Sequence, residues 1–127
     1  MNALEANVVD KFVRGYNASQ SNTRSIDGSL LLNGNPIGWR NPETGELWIS
    51  NHGYHTKTTQ SRLNAVIESA MIEARVFTKD GTHHLERWDD GELTVTPMRN
   101  TLNYSWVEIK IHHMQQVMTE IQGRMQV

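Results

Sequence analysis

The chain has 127 residues, the length of one domain able to bury a core without covalent staples. It contains no cysteine, which excludes disulfides, thiolate zinc sites, iron–sulfur clusters and cysteine nucleophiles, and points to a reducing compartment such as the cytoplasm. Lys and Arg total 12 against 14 Asp and Glu, a net charge of -2 with no global pull toward nucleic acid or anionic lipid, and no apolar run approaches the ~20 residues of a membrane span.

Residues 3–17 predict a helix, because Leu4, Val8, Phe12 and Tyr16 recur every fourth position and Val9 and Val13 widen the stripe. Glu5, Asp10, Lys11 and Arg14 interrupt the apolar residues, so this start does not read as a secretion signal. Residues 19–22 read as a polar linker, and segment 1–21 either packs on the main domain or reaches a partner. Residues 25–51 predict a three-stranded meander opened by Asp27-Gly28. Its first strand is the run Leu30, Leu31, Leu32, and Asn33-Gly34 supplies the two positive φ angles of a tight hairpin turn. Ile37 and Trp39 alternate on the second strand, 41–45 form a Pro- and Gly-containing turn, and Leu47, Trp48 and Ile49 make the third.

Thr58 or Thr59 is the expected cap of a central helix over 59–72, whose stripe is Leu63, Val66, Ile67, Ala70, Met71 and Ala74. A hairpin follows, with 75–78 and 83–88 flanking Asp80-Gly81. Asp89-Asp90-Gly91 turns into a last strand through Leu93 and Val95, stopped by Pro97. The C-terminal segment is expected to be a helix. Ser105 and Glu108 fit a capping box, and Trp106, Ile109, His113, Met114, Val117, Met118 and Ile121 continue a stripe, although Val107, Ile109 and Ile111 also alternate as in a strand. The sum is an α+β fold in one domain, 1–127: an antiparallel meander and hairpin packed with N-terminal, central and C-terminal amphipathic helices. The expected core is Leu30, Leu32, Ile37, Leu47, Ile49, Leu63, Val66, Ile67, Ala70, Val117 and Ile121.

Six histidines are many for this length, with His52 and His55 three apart and His83-His84 and His112-His113 in tandem. Imidazole ligates zinc, but a metal needs three or four converging ligands, and tandem residues on a strand point to opposite faces. Solvated or core-edge histidines are the simpler reading, and no metal or cofactor is expected. Glu108-Ile109-Lys110, with Asp89 or Asp90 upstream, resembles the acid and Glu-x-Lys set of metal-dependent nucleases, but the motif is short and common by chance. Trp39, Arg40 and Trp48 on the meander, with Arg62 nearby, are the residue types that stack bases and contact phosphates, and the same tryptophans could equally be core. The methionines of the last helix suit an adaptable surface, which points to a homodimer through that helix.

One segment resembles a known group. Asp27-Gly28, the run 30–36, Ile37, Trp39, Leu47-Trp48-Ile49, Gly53-Tyr54, Thr58-Thr59 and Arg62-Leu63-Asn64 are similar to a stretch of small phage-encoded proteins of unknown function. The resemblance covers 27–67, brings no catalytic residues, and implies an accessory phage protein acting in the cytoplasm of a bacterial host. The expectation is therefore a non-enzymatic binding protein that docks on a host or antiviral-defence macromolecule and modulates or inhibits it. Trp39, Arg40, Trp48, Tyr54, Arg62 and Trp88 are the candidate binding residues. The alternatives are nucleic-acid binding through the meander and metal-dependent hydrolysis.

Overall fold

The computed structural model describes residues 3–98 and 106–110. The first helix, α1 (Ala3–Arg14), buries Val8, Val9 and Phe12. Five strands follow: β1 (Ala18–Gln20), β2 (Thr23–Ile26), β3 (Ser29–Leu32), β4 (Asn35–Arg40) and β5 (Leu47–Ile49). Helix α2 (Lys57–Ser69) leads to β6 (Ala74–Lys79), β7 (Thr82–Asp89), β8 (Glu92–Pro97) and, after an undescribed stretch, β9 (Val107–Lys110). The strands form two antiparallel sheets, one of order β1-β2-β3-β4-β5-β9 and one of order β6-β7-β8. No helix among the described residues is long and apolar enough to cross a membrane.

The α+β reading holds, and its turns are those the sequence marks. Asp27-Gly28, Asn33-Gly34, Asp80-Gly81 and Asp90-Gly91 all have positive φ at both positions, the geometry that matches the twist of a two-residue hairpin. The meander has more strands than expected. The triple-leucine run pairs with β2 as well as β4, and part of the expected linker is β1, which adds an edge to β2.

The C-terminal helix is a correction. Residues 107–110 form β9, antiparallel to β5, so the described residues hold two helices. The alternation of Val107 and Ile109 prevails because β5 has an unfilled edge, and ladder bonds along it outweigh a local cap signal. The rest of that expected helix, with Val117 and Ile121, lies outside the described residues, as does Ser105. The central helix also starts earlier than expected and ends at Ser69, so Met71, exposed and with φ of 58°, and Ala74, on β6, are not part of its buried stripe. Thr56 is its N-cap, and its hydroxyl accepts from the Thr59 N–H at 3.1 Å.

One core joins the elements. Leu30, Leu32, Ile37, Leu47, Ile49 and Ile109 line the inner face of the larger sheet against α1 and α2. Val76, Leu85 and Met98 bring the smaller sheet into the same cluster. Two bulges shape the larger sheet. Leu30 pairs with Gly38 and Leu31 with Pro36, so Ile37 is the extra residue, and Ile109 plays that part opposite Leu47 and Trp48. Both extra residues are buried, which lets the strands keep tryptophans on the opposite face.

Candidate binding surface

Register assigns the outer face of the larger sheet. Ile26 pairs with Ser29, Ser29 with Trp39, Trp39 with Trp48, and Trp48 with Glu108. Trp106, two residues before Glu108, falls on the same side. Trp39, Trp48 and Trp106 line an open cleft of about 350 Å³ together with Ser29 and Pro36. Trp39 is 39% and Trp106 36% exposed, and Trp48 is half-buried between them. Both helices contact the other face. Arg24, paired with Leu31, is an exposed cation on this side.

Trp106 is the residue the sequence reading left out of the site. Its signal was present in the alternation of Trp106, Glu108 and Lys110 against Val107 and Ile109, which reads as a strand with tryptophan on the polar side.

The other candidates are placed elsewhere. Arg40 lies at the end of α1: its Nε donates to the Val13 carbonyl at 3.0 Å, and its guanidinium lies against Gly15. That is a cation closing a helix C-terminus. Arg62 is buried, with Nη2 2.8 Å from the Glu5 carboxylate and Nε donating to Thr23 Oγ1 at 2.9 Å. Tyr54 is exposed and stacks on His52, with ring centroids 6.0 Å apart. Trp88 is exposed on the smaller sheet.

The histidines divide in the same way. His83 is fully buried and His84 stacks on Phe77, as opposite faces of a strand require. His83 meets His55 from the loop before α2, with ring centroids 5.1 Å apart. Asn51 Oδ1 accepts from the Gly53 N–H, which orients its amide so that Nδ2 donates to Nδ1 of both rings. His55 Nδ1 also accepts from the His83 N–H at 2.8 Å, and His83 Nε2 donates to the Thr56 carbonyl at 3.0 Å. Burial and then the neighbouring His55 push the His83 pKa below its ordinary value. Among the described residues no group of three or more His, Asp or Glu could hold a metal ion. Around the nuclease-like set, Arg87 intervenes, since its Nε lies 3.1 Å from Asp89 and its Nη1 donates to the Glu108 carbonyl.

A family model described as "Kyanoviridae Gp96 protein" matches residues 1–112. The chain belongs to this family of phage proteins. The phage origin implied by segment 27–67 is thereby extended over both helices, both sheets and the tryptophan face. No curated protein and no solved structure matches the chain. The Gp96 family name carries an origin and no activity, so function is argued from the surface itself.

Proposed function

We propose that this Gp96 family member is a non-enzymatic binding protein that docks on a protein of the bacterial host or its antiviral defence and modulates or inhibits it. The observation behind this reading is the row of Trp39, Trp48 and Trp106 on an open sheet face with both helices on the other side. Rigid aromatic rings exposed on a sheet face are the anchors that protein interfaces use. The partner surface that fits is apolar and shallow, with few charges, because the cleft is built of Trp, Pro and Ser.

Paired affinity capture from host cells tests the proposal, using the wild-type chain and the variant Trp39→Ala with Trp106→Ala as baits. A host protein retained by the first and lost by the second supports docking through this face. Identical recoveries from the two baits, with the variant folded by circular dichroism, overturn it.

Arg24 favours a second reading, sequence-tolerant single-stranded nucleic acid stacked on the same rings. A gel shift over a salt series separates the two. Binding that weakens steeply with salt assigns the face to nucleic acid, and no shift at low salt removes that reading.

A further inference from the structure

Strand β8 forms one edge of the smaller sheet, and every residue from Glu92 to Thr96 is exposed. The turn before it determines which of its backbone groups are free. Asp90 and Gly91 have φ of 50° and 81°, a two-residue turn whose closing pair, Asp89 with Glu92, exchanges both backbone hydrogen bonds. Alternation then turns the N–H and C=O groups of Thr94 and Thr96 toward β7, and those of Leu93 and Val95 away from the sheet. Two details agree with this phase. Pro97, which has no N–H, falls on an outward position, and the Met98 N–H donates inward to the His83 carbonyl at 2.8 Å.

Leu93 and Val95 make one face of this edge apolar. Leu93 pairs with Trp88 and Val95 with Glu86, so Trp88, Leu93 and Val95 share one face, and all three are exposed. Edges of this kind are usually blunted by lysine, a bulge or a covering loop. β8 carries a single charge, Glu92, and pairs with β7 without a register shift.

The strand is also complementary to itself. Laid antiparallel on a second copy about Thr94, it sets Leu93 against Val95, Thr94 against Thr94 and Glu92 against Thr96. Apolar residues meet, no like charges oppose, and the outward groups of Leu93 and Val95 make four hydrogen bonds across the two-fold axis. The geometry points to a homodimer formed by β8 pairing with β8 of a second copy, giving a continuous sheet of order β6-β7-β8-β8-β7-β6. Trp88, Leu93 and Val95 of both copies then form one apolar patch. The Trp39 face belongs to the other sheet and stays open, so the dimer stands or falls independently of the partner proposed for that face.

Two measurements on the full chain test the dimer. In sedimentation velocity at rising concentration, the wild-type chain moves toward twice its 14.5 kDa mass. Val95→Pro removes an outward N–H and leaves the β7 ladder whole, so it stays monomeric with unchanged circular dichroism. Should Val95→Pro lower the melting temperature, Leu93→Lys with Val95→Lys gives the same readout by setting lysine against lysine. The second measurement uses the absence of native cysteine. Thr94 faces Thr94 at a non-hydrogen-bonded pair, where Cα atoms approach to about 4.5 Å, within disulfide reach. Thr94→Cys therefore gives a covalent dimer on mild oxidation, and Lys79→Cys, at the far hairpin end, does not. A chain that is monomeric at every concentration overturns the inference. So does a dimer that survives Val95→Pro and shows no excess cross-linking at Thr94→Cys, which would place the contact elsewhere.

Discussion

Arg62 shows how far a single residue can be read from its neighbours in sequence. Its charge and its place near Trp39 and Trp48 suggest a surface contact. Its role in the fold is set by Glu5, Asn22 and Thr23, which reach it from α1, the turn before β2 and β2 itself. Local pattern reveals which positions are apolar, because burial of a periodic stripe needs no knowledge of the partner. Pairing of a charge depends on which distant element arrives beside it, and a single sequence does not encode that visibly. Both side chains of this ion pair are nearly excluded from water, so removing one strands the other. Arg62→Ala is expected to cost about 3 kcal/mol, read as a lower urea midpoint at unchanged slope. Arg62→Met combined with Glu5→Leu should recover most of that loss, since an apolar pair of similar volume removes the desolvation penalty.

Elements were legible where pattern and turn chemistry agree, and less so where a neighbour decides. The four two-residue turns and the stripe of α2 from Leu63 to Ile67 follow directly from sequence, whereas Met71 and Ala74 fall beyond the helix end. β9 does not, because a four-residue alternation competes with a helix cap and only the presence of β5's edge resolves it. β4 contains a further constraint with no periodic signal. A Cβ at Gly38 would lie 2.9 Å from Phe12 Cζ and 3.0 Å from Leu30 Cβ, so the absence of a side chain there is what lets α1 lie on the sheet. Gly38→Ala should push Phe12 outward and destabilise the fold by about 1–3 kcal/mol, measurable by thermal unfolding. Thr56→Ala tests the junction between loop and α2 more gently. Losing the bond to the Thr59 N–H should cost about 1 kcal/mol without changing the fold.

On the scale of the whole molecule, the two sheets are joined by a shared core and by a few polar links. Asn64 on α2 pairs with both backbone groups of Val76, with its Nδ2 donating to the carbonyl at 2.8 Å and its Oδ1 accepting the N–H at 2.7 Å. The second link is His83 on β7, buried against His55, Asn51 and the Thr56 carbonyl, with His84 beside it in the chain. His83 in the fold titrates below the 6.5 of the unfolded chain, so between those two pH values the unfolded state holds the extra proton. Stability from this group is therefore complete above pH 6.5 and falls as pH drops, by up to about 1.4 kcal/mol per pH unit, until the buried ring itself protonates. Protonation also places an N–H on Nδ1, facing the Asn51 amide donor, and weakens the seat of β7 on the loop before α2. Hydrogen exchange on either side of pH 6.5 reads this directly. The amides of β6, β7 and β8 should lose protection in mild acid before those of β3 and β4, and His83→Gln should flatten the dependence. Equal loss in both sheets, or a pH response unchanged by His83→Gln, would show that the junction does not depend on the state of this ring.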